Sequence, residues 1–116
     1  MSYSVETIAP FRRELKRLLK KYPSLRQEIN SLLDALEADP TQGTSLGHNC
    51  YKIRLRIASK GKGKSGGARV ITCVLTVAAE VYLLSIYDKS EQEAISDAEL
   101  LALVNEIPSI NPYQEP

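Results

Sequence analysis

The stretch Tyr51-Lys-Ile-Arg-Leu-Arg-Ile57 decides the fold of this chain. Apolar and basic side chains alternate along it, and a period of two residues predicts an amphipathic β-strand. Lys52, Arg54 and Arg56 are therefore forced together onto the face of the sheet that points away from the core. The apolar positions, which must face that core, are Tyr51, Ile53, Leu55 and Ile57.

Positive charge continues beyond this strand. Residues 52–71 hold seven Lys and Arg side chains and no Asp or Glu. The overall net charge of +1 hides a segregation, with +1 over residues 1–39, +7 over residues 40–79 and −7 over residues 80–116. Because like charges this close repel one another, the arrangement predicts an anionic partner for the middle third of the chain.

Three interpretations of the basic segment compete. A phosphate-binding loop would need a helix directly after Lys64-Ser65, whereas Gly66-Gly67 leads into an apolar strand. A solubilising surface normally mixes both signs of charge, and no Asp or Glu occurs between Asp39 and Glu80. Nucleic-acid binding is favoured, because cations on a sheet face and a glycine-rich loop can contact several phosphates. RNA and DNA both remain open from this pattern.

The remaining sequence shows helical and strand periodicities in separate segments. Two capping boxes, Ser24 with Gln27 and Ser96 with Glu99, are predicted to open the second and third helices. The polar segment 39–45 is predicted to be a loop. In order, the predicted elements are a strand at 3–8, helices at 10–22 and 24–36, strands at 50–57, 68–77 and 81–87, and a helix at 96–107.

These elements predict an α+β fold, a small antiparallel sheet with a two-helix hairpin packed on one face and a C-terminal helix on the same face. At 116 residues the chain suits a single domain, expected at residues 1–108 with a flexible tail at 109–116. A cytoplasmic protein is expected, since no apolar run could cross a membrane and no secretion signal is recognisable. Cys50 and Cys73 are expected to be reduced structural thiols, with an inter-strand disulfide as the alternative.

On these residues the chain resembles the RelE/ParE superfamily of bacterial toxins, and within it the HigB-like branch of RelE toxins from type II toxin-antitoxin systems. The resemblance extends from Val5 to about Ile107, and the RelE-like fold agrees with the predicted order of elements. Its most specific parts are Lys52-Ile-Arg54, the segment Ser59-Lys-Gly-Lys-Gly-Lys-Ser-Gly-Gly-Ala-Arg-Val-Ile71 and the strand end Ile86-Tyr-Asp-Lys-Ser-Glu91.

The resemblance implies a ribosome-dependent mRNA endoribonuclease, or mRNA interferase, that cleaves messenger RNA in the A site by attack of a ribose 2′-hydroxyl. Such an attack builds negative charge on the phosphoryl oxygens, so preorganised cations are the catalysts it requires. No metal or organic cofactor is expected. The implied partners are a cognate antitoxin protein, mRNA and the ribosome, and promoter DNA only as the toxin-antitoxin complex, with no membrane partner.

The resemblance also implies roles for individual side chains. Lys52 or Arg54 would orient or deprotonate the 2′-hydroxyl, and which of them acts as base stays open. Arg69 would hold the scissile phosphate, and Lys89 would neutralise or protonate the leaving oxygen. The residues implied to bind RNA are Arg56, Lys60, Lys62, Lys64 and Tyr87.

Two positions and two functions remain open. Several RelE toxins carry an aromatic residue after the last strand, where this chain has Ile95; Tyr87 is a candidate substitute, although packing in the core is equally consistent with its position. His48 is either an acid or base or a loop residue without a role. The alternative functions are ParE-like inhibition of DNA gyrase and a non-catalytic nucleic-acid-binding module.

Overall fold

The computed structural model describes residues 2–60 and 66–110, which form a mixed five-stranded sheet with helices on both faces. The order across the sheet is β1-β5-β4-β3-β2. The described part contains no helix that is both long and apolar enough to cross a membrane. The strands are β1 (Ser4–Thr7), β2 (Thr44–Gly47), β3 (Cys50–Leu55), β4 (Ala68–Leu75) and β5 (Glu80–Asp88). The helices are α1 (Ala9–Lys21), α2 (Leu25–Ala38) and α3 (Asp97–Val104), and a short 3₁₀ turn covers Ala58–Lys60.

The helices α1 and α2 cover one face of the sheet, as predicted. Their apolar residues recur every three or four positions, so each helix presents one stripe to the strands. Burial of these side chains is the main source of stability in this layer. The buried residues of this first core include Phe11, Leu18, Leu25, Ile29, Leu32 and Leu36 from the helices and Ile53, Leu55, Ile57, Val70 and Ile86 from the sheet region.

The third helix lies on the opposite face, so the expectation that all helices share one face is wrong. Leu100 of α3 and Ile107 beyond its end are buried with Ile71 and Leu84 in a second core. The strand β5 is long enough and apolar enough on both sides to be covered twice, which is typical of a central strand. The α+β class itself is confirmed, with this second layer added.

Two features of the sheet differ from the prediction. The strand β1 pairs with β5 in parallel, so the sheet is mixed rather than fully antiparallel. The segment 39–45, predicted to be a loop, instead contributes Thr44 and Ser45 to the edge strand β2. A two-residue turn joins β2 to β3, with positive φ at both His48 and Asn49, as hairpin turns of this length require. A four-residue edge strand carries too short a pattern to be recognised from sequence.

The two capping boxes have different outcomes. At Ser96 the box is confirmed, because its side chain accepts a hydrogen bond from the Glu99 backbone amide and the Glu99 side chain reaches back. The box predicted at Ser24 is wrong, since Ser24 adopts a helical conformation with no capping hydrogen bond. Tyr22 leaves the helical conformation at the end of α1, and Ser24 already has helical backbone angles instead of the extended conformation that a cap needs. The predicted tail 109–116 lies outside the described residues from position 111 onward.

Candidate nucleic-acid interface

The cationic face of β3 is built as the alternation requires. Ile53 and Leu55 are buried in the first core, whereas Arg54 and Arg56 are exposed and Lys52 is half-buried. No ion pair engages these three cations within the described residues. Their charge is therefore available to a ligand.

Strand register brings three of the predicted site residues into one row. Arg54 of β3 lies directly opposite Arg69 of β4, and Arg69 lies directly opposite Tyr87 of β5. Directly opposed residues in antiparallel strands have Cβ atoms about 5 Å apart on the same face. The row Arg54–Arg69–Tyr87, called the cationic row below, therefore crosses three neighbouring strands.

Arg69 is the most deeply placed cation of the row. Its residue is only 4% exposed, and its Nη1 atom donates a hydrogen bond of 3.1 Å to the Ala68 carbonyl oxygen. A buried guanidinium keeps its charge and presents several donors in a fixed plane. Such a group holds a phosphate with less reorganisation than a fully solvated side chain, but at 4% exposure a phosphate reaches it only if the packing over it opens, as stacking on Tyr87 also requires.

Tyr87 is buried beside Arg69 rather than displayed. It is 4% exposed and packs in the second core, so a base could stack on its ring only if this packing opened. Its hydroxyl has no hydrogen-bond partner among the described residues. Burial raises the pKa of Tyr87, and the positive charge of Arg69 offsets part of that rise. The implied stacking role of Tyr87 stays a prediction. The structure shows in addition that its buried hydroxyl group, next to Arg69, lacks a hydrogen-bond partner among the described residues.

Lys89 follows β5 and is linked to Arg69 through a carboxylate, Glu93, that interacts with both cations. Its Nζ atom lies 2.5 Å from Oε1 of Glu93, a side chain that is 87% exposed. The hydrogen bond from Lys89 lowers the pKa of Glu93, and Arg69 lowers it further. Because Glu93 is exposed, an incoming phosphate can compete with it for Lys89 at little cost.

Lys60 lies on the other side of the sheet from the cationic row. Its Nζ atom forms an ion pair of 2.7 Å with the buried carboxylate of Asp88, which also accepts a hydrogen bond from Tyr22 at the end of α1. Its implied RNA-binding role stays a prediction, although this ion pair occupies its charge. Lys62 and Lys64 lie outside the described residues.

An open groove beside β3 adds polar residues that the sequence did not indicate. It has a volume of about 480 Å³ and is lined by Lys52 and Arg54 together with Gln42, Gly43 and Thr44. The last three belong to the segment predicted to be a featureless loop. Only the pairing of Thr44 with Lys52 in the sheet brings them to the site.

The structure places both positions that the sequence left open, His48 and Ile95. His48 is exposed at the turn before β3, and its carbonyl oxygen accepts a hydrogen bond from the Cys50 thiol. Ile95 is half-buried against the second core.

Cys50 and Cys73 are free, buried thiols on directly opposed residues. In residues 2–60 and 66–110, no three His, Cys, Asp or Glu side chains are grouped so as to hold a metal ion.

Comparisons with known proteins agree with this architecture. In fold, the chain is similar to a free-state structure of the E. coli toxin RelE carrying two arginine-to-alanine substitutions, with a TM-score of 0.62 and 20% sequence identity over 92% of this chain and 99% of that chain. It is also similar to the same mutant in complex with a peptide of the antitoxin RelB, with a TM-score of 0.54 and 24% identity over 84% and 98% of the two chains. The family model described as the RelE toxin of the RelE/RelB toxin-antitoxin system matches residues 12–109. The chain therefore belongs to the RelE family of toxins from toxin-antitoxin systems.

Proposed function

We propose that this toxin is a ribosome-dependent mRNA endoribonuclease that stops translation by cleaving messenger RNA in the ribosomal A site. The observation that carries the proposal is the cationic row, in which two arginines stand directly opposite each other next to a buried tyrosine hydroxyl. Two cations on directly opposed residues concentrate positive charge on one part of the sheet face. A phosphodiester between them would relieve the repulsion, and its transition state would relieve it more.

The reaction assigns one task to each side chain. The ribose 2′-oxygen attacks the adjacent phosphorus as the bond to the 5′-oxygen breaks, which leaves a 2′,3′-cyclic phosphate and a 5′-hydroxyl. Lys52 or Arg54 orients the attacking hydroxyl, and whichever of them accepts its proton must do so in its uncharged form. Arg69 binds the phosphoryl oxygens while they gain charge, and Lys89 neutralises or protonates the departing oxygen. Preorganised charge placed where charge develops in the transition state usually contributes more to the rate than any other catalytic effect.

Arg56 and the groove lined by Lys52, Gln42 and Thr44 are proposed to bind the RNA on either side of the scissile bond. Lys62 and Lys64 are proposed to contact messenger or ribosomal RNA. We propose that the reaction needs no metal, because the basic segment between Asp39 and Glu80 contains no carboxylate that could hold one.

A cognate antitoxin is the proposed protein partner. The support is the family of the chain and the related E. coli toxin, which was solved with an antitoxin peptide. Binding of promoter DNA is proposed for the toxin-antitoxin complex and not for the toxin alone. The assignment to the HigB-like branch stays a prediction.

The test is cleavage of a defined message on programmed ribosomes, with the message ends mapped. The wild-type protein should produce cuts within the A-site codon, and Arg69→Ala should reduce their rate by a factor on the order of 100 or more, as expected for loss of a transition-state cation. Arg69→Lys keeps the positive charge but loses the planar guanidinium group that can donate two parallel hydrogen bonds to a phosphate. Its cleavage rate should therefore lie between those of the wild-type protein and Arg69→Ala. Undiminished cleavage by Arg69→Ala would refute the role of Arg69.

Two other outcomes would replace the proposal itself. Inhibition of gyrase supercoiling with no message cleavage would indicate a ParE-like function. RNA affinity with no cleavage, on or off the ribosome, would indicate a binding module.

A further inference from the structure

Asp88 is a fully buried carboxylate at the end of β5. Its two oxygens accept four hydrogen bonds: 2.7 Å from Lys60 Nζ, 2.9 Å from the Tyr22 hydroxyl, and 2.9 and 2.8 Å from the backbone amide and hydroxyl of Ser90. A buried charge is tolerated only when it is paired and hydrogen-bonded in this way. Burial would raise the pKa of Asp88, but the hydrogen bonds, with Lys60 first among them, outweigh burial and lower it.

The four hydrogen bonds join three separate parts of the chain. Lys60 ends the short turn after β3, Tyr22 is the C-cap of α1, and Ser90 lies two residues beyond β5. The ammonium group of Lys60 also lies 5.6 Å above the ring of Tyr22, at a distance where a cation is attracted to an aromatic face. The side chain of Lys60 is only 15% exposed. Its charge is therefore used inside the protein.

This network lies directly behind the cationic row. Side chains alternate along β5, so Asp88 points toward the helical hairpin while its neighbour Tyr87 points toward Arg69. Asp88 also faces Ala68 in the sheet register, one residue from Arg69. The backbone amide of Lys89 donates a hydrogen bond of 3.0 Å to the Gly67 carbonyl oxygen. This bond joins the end of β5 to the start of β4, and the junction is called the corner.

We propose that Asp88 is a positioning residue of the cationic site and that Lys60 is its structural partner rather than an RNA contact. By holding the turn after β3 against the end of β5, the pair sets the separation of Arg69, Tyr87 and Lys89. Asp88 touches no substrate and acts through these residues. The catalytic part of this inference rests on the proposed nuclease function, whereas the structural part does not.

The experiment compares Asp88→Asn, Lys60→Met and the double variant in single-turnover cleavage on programmed ribosomes. Each single variant should lower the rate constant by a factor on the order of 10 to 100, because misplaced catalytic groups cost about this much. The toxin concentration at half-saturation should stay unchanged, and the double variant should be no worse than the poorer single variant. Lys60→Arg should restore most of the rate. Tyr22→Phe, which removes one hydrogen bond and leaves the ion pair, should have a smaller effect.

Arg56→Met serves as the matched control, since Arg56 is an exposed cation with no ion pair among the described residues. It should raise the half-saturating concentration, as the loss of an RNA contact does. If Lys60 were an RNA contact, Lys60→Met would behave like Arg56→Met. Asp88→Asn would then release the ammonium group and tighten binding. Either result overturns the inference.

A second measurement separates this inference from the proposed activity. Hydrogen exchange of the Lys89 amide, which bonds to Gly67, should accelerate in Asp88→Asn and Lys60→Met and stay unchanged in Arg56→Met. If the wild-type toxin cleaves no message, this exchange still decides whether the pair holds the corner. If exchange is unchanged in the two variants, the positioning role is wrong even when cleavage is observed.

Discussion

Replacing Arg54 by Gln should stabilise the free protein while it weakens the toxin. Arg54 stands directly opposite Arg69, and the structure describes no carboxylate paired with Arg54. Two unit charges about 7 Å apart, at an effective dielectric constant of about 40, repel one another by about 1 kcal/mol, which sets the magnitude expected for this pair. Removal of this repulsion should raise the melting temperature by roughly 4 °C for a domain of this size.

The dependence on salt concentration shows whether the gain in stability comes from relief of charge repulsion. The screening length is about 30 Å at 10 mM ionic strength and about 3 Å at 1 M, so the gain should shrink to about 0.1 kcal/mol at high salt. The assay is thermal or urea unfolding of both proteins at the two ionic strengths. The rate of message cleavage by Arg54→Gln should be lower than that of the wild-type protein even though the variant is more stable, since the same charge is proposed to serve the reaction.

Arg56→Gln is the control for this prediction. Arg56 lies beyond the last paired residue of β3, and no cation opposes it in the register. Its replacement should change the melting temperature little at either salt concentration. Equal effects of the two substitutions, or a lower melting temperature for Arg54→Gln at 10 mM, would refute the claim that the cationic row stores repulsion.

Further predictions concern stability and the metal requirement. Because the folded-state pKa of Asp88 is lowered, its contribution to stability is present above about pH 5 and is lost as the pH falls below about 4; Asp88→Asn should flatten this acid limb in urea titrations. Gly67→Ala should unfold the corner beside the site, since a Cβ there would collide with the Leu55 carbonyl oxygen, and far-UV circular dichroism during heating would reveal the loss. Ser96→Ala should cost about 1 kcal/mol of unfolding free energy through loss of the confirmed cap, with unchanged urea m-value. Pretreatment of the toxin alone with EDTA, before it is added to ribosomes that keep their own Mg²⁺, should leave the cleavage rate unchanged. Loss of cleavage after this pretreatment would contradict a metal-independent reaction.

Local patterns in the sequence were sufficient for most of the elements and for the orientation of β3. The spacing of apolar residues predicted both helices of the hairpin and the three long strands. The errors occurred where the decisive contacts join distant segments. The parallel pairing of β1 with β5 and the position of α3 on the second face depend on which apolar surfaces remain uncovered after the hairpin has packed. The edge strand at Thr44–Gly47 was missed because four residues carry little periodicity.

The candidate site divides in the same way. That Lys52, Arg54 and Arg56 share one face follows from a period of two residues, which is a property of any extended chain. The sequence alone also determined the segregation of charge and the family resemblance. Only the tertiary structure decided that Arg69 is buried between Arg54 and Tyr87, and that Lys60 turns away to Asp88. Strand register and the partner of a buried charge are set by contacts between residues far apart in the chain, and no local pattern encodes them.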